Sequence, residues 1–194
     1  FGGLAGIWPF RAWSRDGHAA APPAGWMMDA GVLMELGAYG VFRVGMIALP
    51  AAATEWGWIV GTIAVINILY GAFAALWQTD IKYLIAYSSV SHMGVVMLGL
   101  ATLNQTGWTG AVLQMVAHGL MTALFFTLVG IVYEETHERE IGKLRGLGRR
   151  MPALSVVWML AVLSSLGLPG LGGFIAELYT FVGAWQAQIV WAIA

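Results

Sequence analysis

Four ionisable residues lie where this sequence is otherwise apolar for long stretches: Glu35, His92, His118 and Glu177. Imidazole titrates near neutral pH and both donates and accepts a hydrogen bond, so the two histidines are suited to handing protons on. His92 closes Tyr87-Ser-Ser-Val-Ser-His92, with Ser88 four residues earlier on the same helical face and Ser91 beside it in the chain. His118 stands in the same relation to Gln114. Hydroxyls and an amide next to an imidazole extend a relay; a single histidine within a span serves equally well as a hydrogen-bonded packing residue. Two histidines on consecutive apolar runs, followed by a run that carries a carboxylate, favour the relay. Neither has a second metal-binding side chain one helical turn away, as zinc motifs require, so no metal centre is expected.

Glu177 ends Leu168-Pro-Gly-Leu-Gly-Gly-Phe-Ile-Ala-Glu177. Proline removes a backbone donor and the glycines permit non-helical dihedrals, so this segment predicts a broken helix with unpaired backbone groups. Such a break is tolerated within a bilayer only against protein or a water-filled cavity, and a carboxylate beside one is a feature of ion-coupled transport. The alternative is a loop at the far membrane surface with Glu177 in water. Asp29 and Glu35 are about 240° apart on an α-helix, so they do not form a paired-carboxylate active site. Glu35 and Arg43 are about two turns apart on one side, which leaves a structural ion pair as the alternative to a proton-carrying role. Asp29 and Lys82 complete the set of supporting polar groups, with Ser88, Ser91 and Gln114.

The elements that position these groups must be membrane helices. Hydrophobic residues make up 59% of the 194 positions and charged residues only 10%, against about 25% charged in an ordinary soluble domain. The net charge of -1 excludes a basic surface for nucleic acid, and the absence of cysteine excludes disulfides, thiolate metal sites and iron–sulfur ligation. A spanning helix needs about 20 predominantly apolar residues. The sequence offers five complete or nearly complete spans: about 24–50, 55–80, two within 82–134 divided at Asn104-Gln-Thr-Gly-Trp108, and 150–177. Phe1–Trp13 reads as the end of an earlier helix. The chain begins without methionine and stops inside an apolar run, so it is expected to be an internal piece of a longer protein.

Trp13, Trp26, Trp56, Trp58, Trp77 and Trp108 fall near the ends of these runs, as amphipathic rings at headgroup depth would. With hairpin connections, Arg11–Pro22, Gln78–Lys82 and Glu134–Met151 share one side of the membrane. They hold every basic residue except Arg43, which the positive-inside bias makes the cytoplasmic side. The mixed charges of Glu134–Arg150 are ordinary loop chemistry and are assigned no catalysis.

Three stretches carry a resemblance: Thr79-Asp-Ile-Lys-Tyr-Leu-Ile-Ala-Tyr-Ser-Ser-Val-Ser-His-Met-Gly94, Gly110-Ala-Val-Leu-Gln-Met-Val-Ala-His-Gly-Leu120, and Leu168 to Glu177. They resemble the antiporter-like proton-channel subunits of respiratory complex I, nearest the subunit M or chain 4 family. Pro9 to His18, Ala30 to Gly40 and Gly146 to Pro152 extend the likeness over essentially the whole chain. The resemblance implies an all-α polytopic transmembrane bundle with discontinuous helices, built from two inverted five-helix repeats. Residues 1–194 would then be one transmembrane domain, with 1–50 ending the first repeat and 51–194 forming most of the second. It also implies a hydrated midplane proton relay, with His92, His118 and Glu177 matching its second half.

Two positions depart from the family pattern. Leu4 stands where a lysine is usual on the broken seventh helix, and Glu35 stands where the eighth helix carries another. Arg11, Ser14 and Arg15 likewise replace the usual loop residues. The function expected is proton translocation in the bacterial inner membrane, coupled to redox chemistry in other subunits of an NADH:quinone oxidoreductase-like complex. The chain itself is expected to bind no flavin, nucleotide, metal or iron–sulfur cofactor; its partners would be other membrane subunits and lipid. The alternatives are a cation/proton antiporter or membrane-bound hydrogenase subunit, or a non-conducting structural paralogue.

Overall fold

A computed structural model describes residues 1–20 and 22–193 of the chain. Phe1–Arg11 is not the helix end that its apolar character suggested but a series of turns. Gly2, Gly3, Gly6 and Pro9 are poor helix residues, and Gly6 is in the left-handed region at φ +69°. The segment is tied down by two hydrogen bonds: the Trp8 amide donates to Asn67 Oδ1 at 3.1 Å and the Trp13 indole donates to the Gly3 carbonyl at 2.6 Å. Helix α1 (Ala12–Ala20) follows.

The next span is helical without interruption but not uniformly α: α2 (Pro23–Met28), a π-helical segment Asp29–Leu33, α3 (Met34–Gly40) and a second π segment Val41–Ala48. π turns are rare and often occur at functional sites. Here they flank the turn that carries Glu35. Pro50 then opens α4 (Pro50–Leu76), proline being favourable at a first helical position.

Helix α5 (Ile81–Ala101) begins at Asp80, whose carboxylate accepts from the Lys82 amide at 2.8 Å. Helix α6 (Gln105–Thr136) begins at Asn104, which accepts from Gly107 N at 2.8 Å. These caps satisfy amide groups that a helix start otherwise leaves unpaired.

The fifth apolar run does not form one span. It divides into α8 (Pro152–Ser165) and α9 (Gly172–Ala187), after the short α7 (Leu147–Arg150) and before α10 (Ile189–Ile193). At about 1.5 Å per residue α8 is about 21 Å long, too short to cross a hydrocarbon layer about 30 Å thick by itself. Among the described residues, four helical stretches are long and apolar enough to cross a membrane: Gly25–Ala48, Pro50–Leu76, Ile81–Ala101 and Gln105–Thr136. No strand forms among them; an isolated bridge joins Asp80 to Glu140.

Helix α5 is the centre of the bundle, packed between α4 and α6, and α9 lies along α6. The α6–α9 contact is close: a Cβ on Gly110 would collide with the backbone of Thr180. At one end the basic segments converge. The Ile81 amide donates to the Arg139 carbonyl and that of Ile141 to Thr79, at 3.1 and 2.9 Å. On α1, Asp16 shares a polar cavity of about 370 Å³ with Gln78, Tyr83 and Tyr87. The tryptophans divide: Trp56, Trp58 and Trp77 are exposed as headgroup-level rings should be, whereas Trp26 is buried against Phe126. The Trp108 indole, like that of Trp13, is engaged by a backbone carbonyl.

Candidate proton-relay site

Four groups scattered through the sequence form one line of contacts. His118 on α6 is fully buried, and its Nδ1 lies 2.6 Å from Glu35 Oε1 on α3. This is the short separation expected where imidazole meets carboxylate. The His118 ring faces that of His92 on α5, with centroids 5.5 Å apart and planes inclined by 40°. Gln114 Nε2 is 3.2 Å from His92 Nδ1, and Ser165 Oγ is 3.4 Å from His92 Nε2. Glu177 Oε1 on α9 is 3.8 Å from His92 Nδ1, a gap that a small ring movement or a bridging water closes. The order across the bundle is therefore Glu35, His118, His92, Glu177.

Local structure explains each position. Ser165 is the last residue of α8, and the chain then turns through Gly167 and Gly170, both at positive φ. A Cβ on Gly167 would stand 2.5 Å from Glu177 Oε2, so the glycine makes the space into which the carboxylate folds back. Glu177 is thus mostly enclosed beside the break, its side chain about a quarter exposed.

Gln114 can serve two protonation states of His92. In the present orientation its amide NH2 donates to a neutral Nδ1; its Oε1, buried and unpartnered, would accept from a protonated Nδ1 after an amide flip. Glu35 Oε2, His118 Nε2 and Thr122 Oγ1 are also buried without partners, and buried polar groups of this kind commonly bind internal water.

The expected supporting groups fare differently. Ser88 and Ser91 do not bond to His92: Ser88 Oγ donates to the Ile85 carbonyl and Ser91 Oγ to the Ile68 carbonyl, at 2.8 and 3.0 Å. Helical hydroxyls readily make such backbone bonds. Gln114 reaches across to His92 rather than along its own helix to His118. Lys82 lies at the loop end, its ammonium 3.4 Å from the centroid of the Trp26 ring, away from the relay. Asp29 opens the first π segment. No ion pair joins Glu35 to Arg43 among the described residues. Both nevertheless line one groove of about 650 Å³, as same-side positions should. Among the described residues no group of three metal-binding side chains forms.

Sequence reasoning missed Ser165, Thr122 and Asn67. Thr122 follows His118 by the same four-residue interval that drew attention to Gln114. Asn67, the one amide within α4, is fully buried and donates to the Val90 carbonyl at 2.8 Å. It locks α4 to α5 two residues before His92.

The whole chain, residues 1–194, matches the family described as NADH:quinone oxidoreductase/Mrp antiporter, TM. NADH-quinone oxidoreductase subunit M of Rickettsia typhi is 41% identical over 182 residues, covering 94% of this chain and 37% of that protein. The chain thus spans little more than a third of that relative's length. Among solved structures, a chain of respiratory complex I from Thermus thermophilus superposes with a TM-score of 0.91 at 32% identity, covering 99% of this chain and 41% of that one. A chain of the Mrp complex from Dietzia gives 0.93 at 23% identity, covering 99% of this chain and 36% of that one, which is a likeness of fold. With the family matched along its full length and the subunit M relative close in sequence, this chain belongs to the NADH:quinone oxidoreductase/Mrp antiporter transmembrane family.

Proposed function

We propose that this chain is the proton-conducting part of a longer membrane subunit in an NADH:quinone oxidoreductase-like complex. Protons pass along Glu35, His118, His92 and Glu177, driven by redox events in partner subunits, and the chain holds no redox group of its own. Residues 1–50 close the first inverted repeat and 51–194 form most of the second. The observation that carries this reading is the line of contacts itself, with carboxylates at both ends and two facing imidazoles between them. The names of the relatives support the redox partner, and the basic loop end supports a cytoplasmic origin for the protons.

The test is Glu177→Gln in the full-length subunit within its complex, reconstituted in proteoliposomes. Proton pumping should be lost while quinone reduction in detergent persists at least in part. Undiminished pumping would refute the assignment. A cation/proton antiporter is the second reading, since the family description includes Mrp antiporters. Replacing sodium by choline in the same vesicles separates the two, because transport that requires sodium belongs to the antiporter.

A further inference from the structure

A second cavity lies away from the relay, at the end of the bundle where the basic segments gather. It measures about 380 Å³, within the range of small-molecule sites. Its walls are apolar except for Ser155: Ile81, Val132 and Trp158 from α5, α6 and α8 stand beneath a roof of Ile141 and Leu144 of the connecting loop and Leu147 of α7. These roof residues recur every third position, so the loop turns one apolar side to the cavity and leaves its charges outside.

Those charges are not equivalent. Lys143 is neutralised within the loop, 2.5 Å from Glu140 and 3.5 Å from Glu138. Arg145, Arg149 and Arg150 are exposed and have no acidic partner among the described ion pairs. Arg149 and Arg150 follow the lining residue Leu147 within the same short helix, α7, and precede the lining residue Leu154 by a few positions. A largely apolar slot with two exposed, unneutralised arginines within a turn of one of its lining residues is complementary to one molecular class: a long apolar chain ending in an anion.

We infer that this cavity binds an anionic phospholipid, with an acyl chain between α6 and α8 beside Trp158 and the headgroup phosphate on Arg149 and Arg150. The site holds the loop Glu134–Met151 against α8, the helix that leads to Ser165 and the break. It does not depend on the conduction proposed above.

Trp158 supplies the readout. The full-length protein in its complex is placed in nanodiscs of phosphatidylcholine doped with phosphatidylglycerol or phosphatidylcholine whose acyl chains are brominated. The quenching due to Trp158 is obtained by difference from Trp158→Phe. A basic residue near an anionic surface is worth about fivefold in binding, so two arginines should favour the brominated phosphatidylglycerol by about thirtyfold. In R149Q/R150Q, whose exposed side chains leave the fold intact, that preference should fall to within a few-fold. Equal quenching by the two lipids would reduce the cavity to an ordinary lipid-facing surface and overturn the inference. So would the absence of any Trp158-dependent quenching, which would mean that protein covers the slot.

Discussion

Replacing Glu35 by glutamine tests the link in the relay that departs most from the family resemblance. Glutamine keeps the length of the side chain and an acceptor oxygen for His118 Nδ1, now 2.6 Å from Glu35 Oε1. A hydrogen bond to a charged group is worth about 1.5–3 kcal/mol and a neutral one about 0.5–1.5, so folding should weaken by only about 1 kcal/mol. What glutamine removes is the capacity to take up and release a proton. Positioned acid–base groups contribute about 10²–10⁴-fold, so transfer through this link should fall at least about a hundredfold. The measurement is the ratio of protons moved to quinone reduced in proteoliposomes, read from a pH-sensitive dye alongside NADH oxidation. Glu35→Lys installs the amine that the resemblance implies, which also takes up and gives a proton, and should restore part of the ratio. Glu35→Asp withdraws the carboxyl by about 1.5 Å, one carbon–carbon bond, and should fall between wild type and glutamine. A glutamine variant with an unchanged ratio would show that Glu35 merely anchors the His118 ring, and the relay would have to be drawn without it.

Two further outcomes follow from other parts of the molecule. Gly167→Ala places a side chain at φ +60°, which costs about 1–2 kcal/mol, and drives its Cβ into the space of the Glu177 carboxylate. Both thermal stability and the proton ratio should fall, and a fully active variant would remove the break from the account of how Glu177 is held. The loop clip offers a pH test. The Glu138 carboxyl is held below its ordinary value of 4.5, first by the backbone amides of Glu140 and Arg139, and Lys143 is raised above 10.5, chiefly by its hydrogen bond to Glu140. A lowered acid contributes fully above its ordinary pKa and is lost as pH falls through the lowered one; a raised base contributes fully below its ordinary pKa and is lost above the raised one. Hydrogen-exchange protection of the Arg139 and Glu140 amides should therefore hold between those two ordinary values and fall away on the acid side, and protection unchanged well below the ordinary carboxyl value would contradict the assignment.

The helices and the break were legible because their causes are local. Apolar length marks the spans, Asp80 and Asn104 cap them, and the proline and glycines from 167 to 173 cannot continue a helix. The site was legible only in its members. Spacing along one helix paired Ser88 with His92 and Gln114 with His118, but a hydroxyl on a helix can bond its own backbone, and Gln114 finds its imidazole across the interface. Glu35 and Arg43 do face one groove, as their spacing implies, but Glu35 pairs with His118 of a neighbouring helix, a contact that spacing along one helix cannot show. Trp26 was misplaced by the same limitation: its position near the end of a run says nothing of which way its face is turned.

The carboxylate at position 35 also changes the electrostatics of the proposed relay. Unit charges about 4 Å apart interact by about 4 kcal/mol at the effective dielectric of partly buried sites. An amine at this position would repel a positive charge arriving on His118 by an amount of that order, and Glu35, in contact with Nδ1, attracts it instead. The line of groups is then symmetrical in sign, with a carboxylate behind each imidazole and no fixed cation between them. A proton at either end is held by a carboxylate–imidazole pair, and the separation of charge occurs in the middle, between two rings 5.5 Å apart. In the proposed relay, control therefore falls to what alters the space between His92 and His118: the Gln114 amide, and the packing of α5 against α6. Glu177 lies on α9, so in the proposed relay a displacement of α9 would move the receiving carboxylate relative to His92.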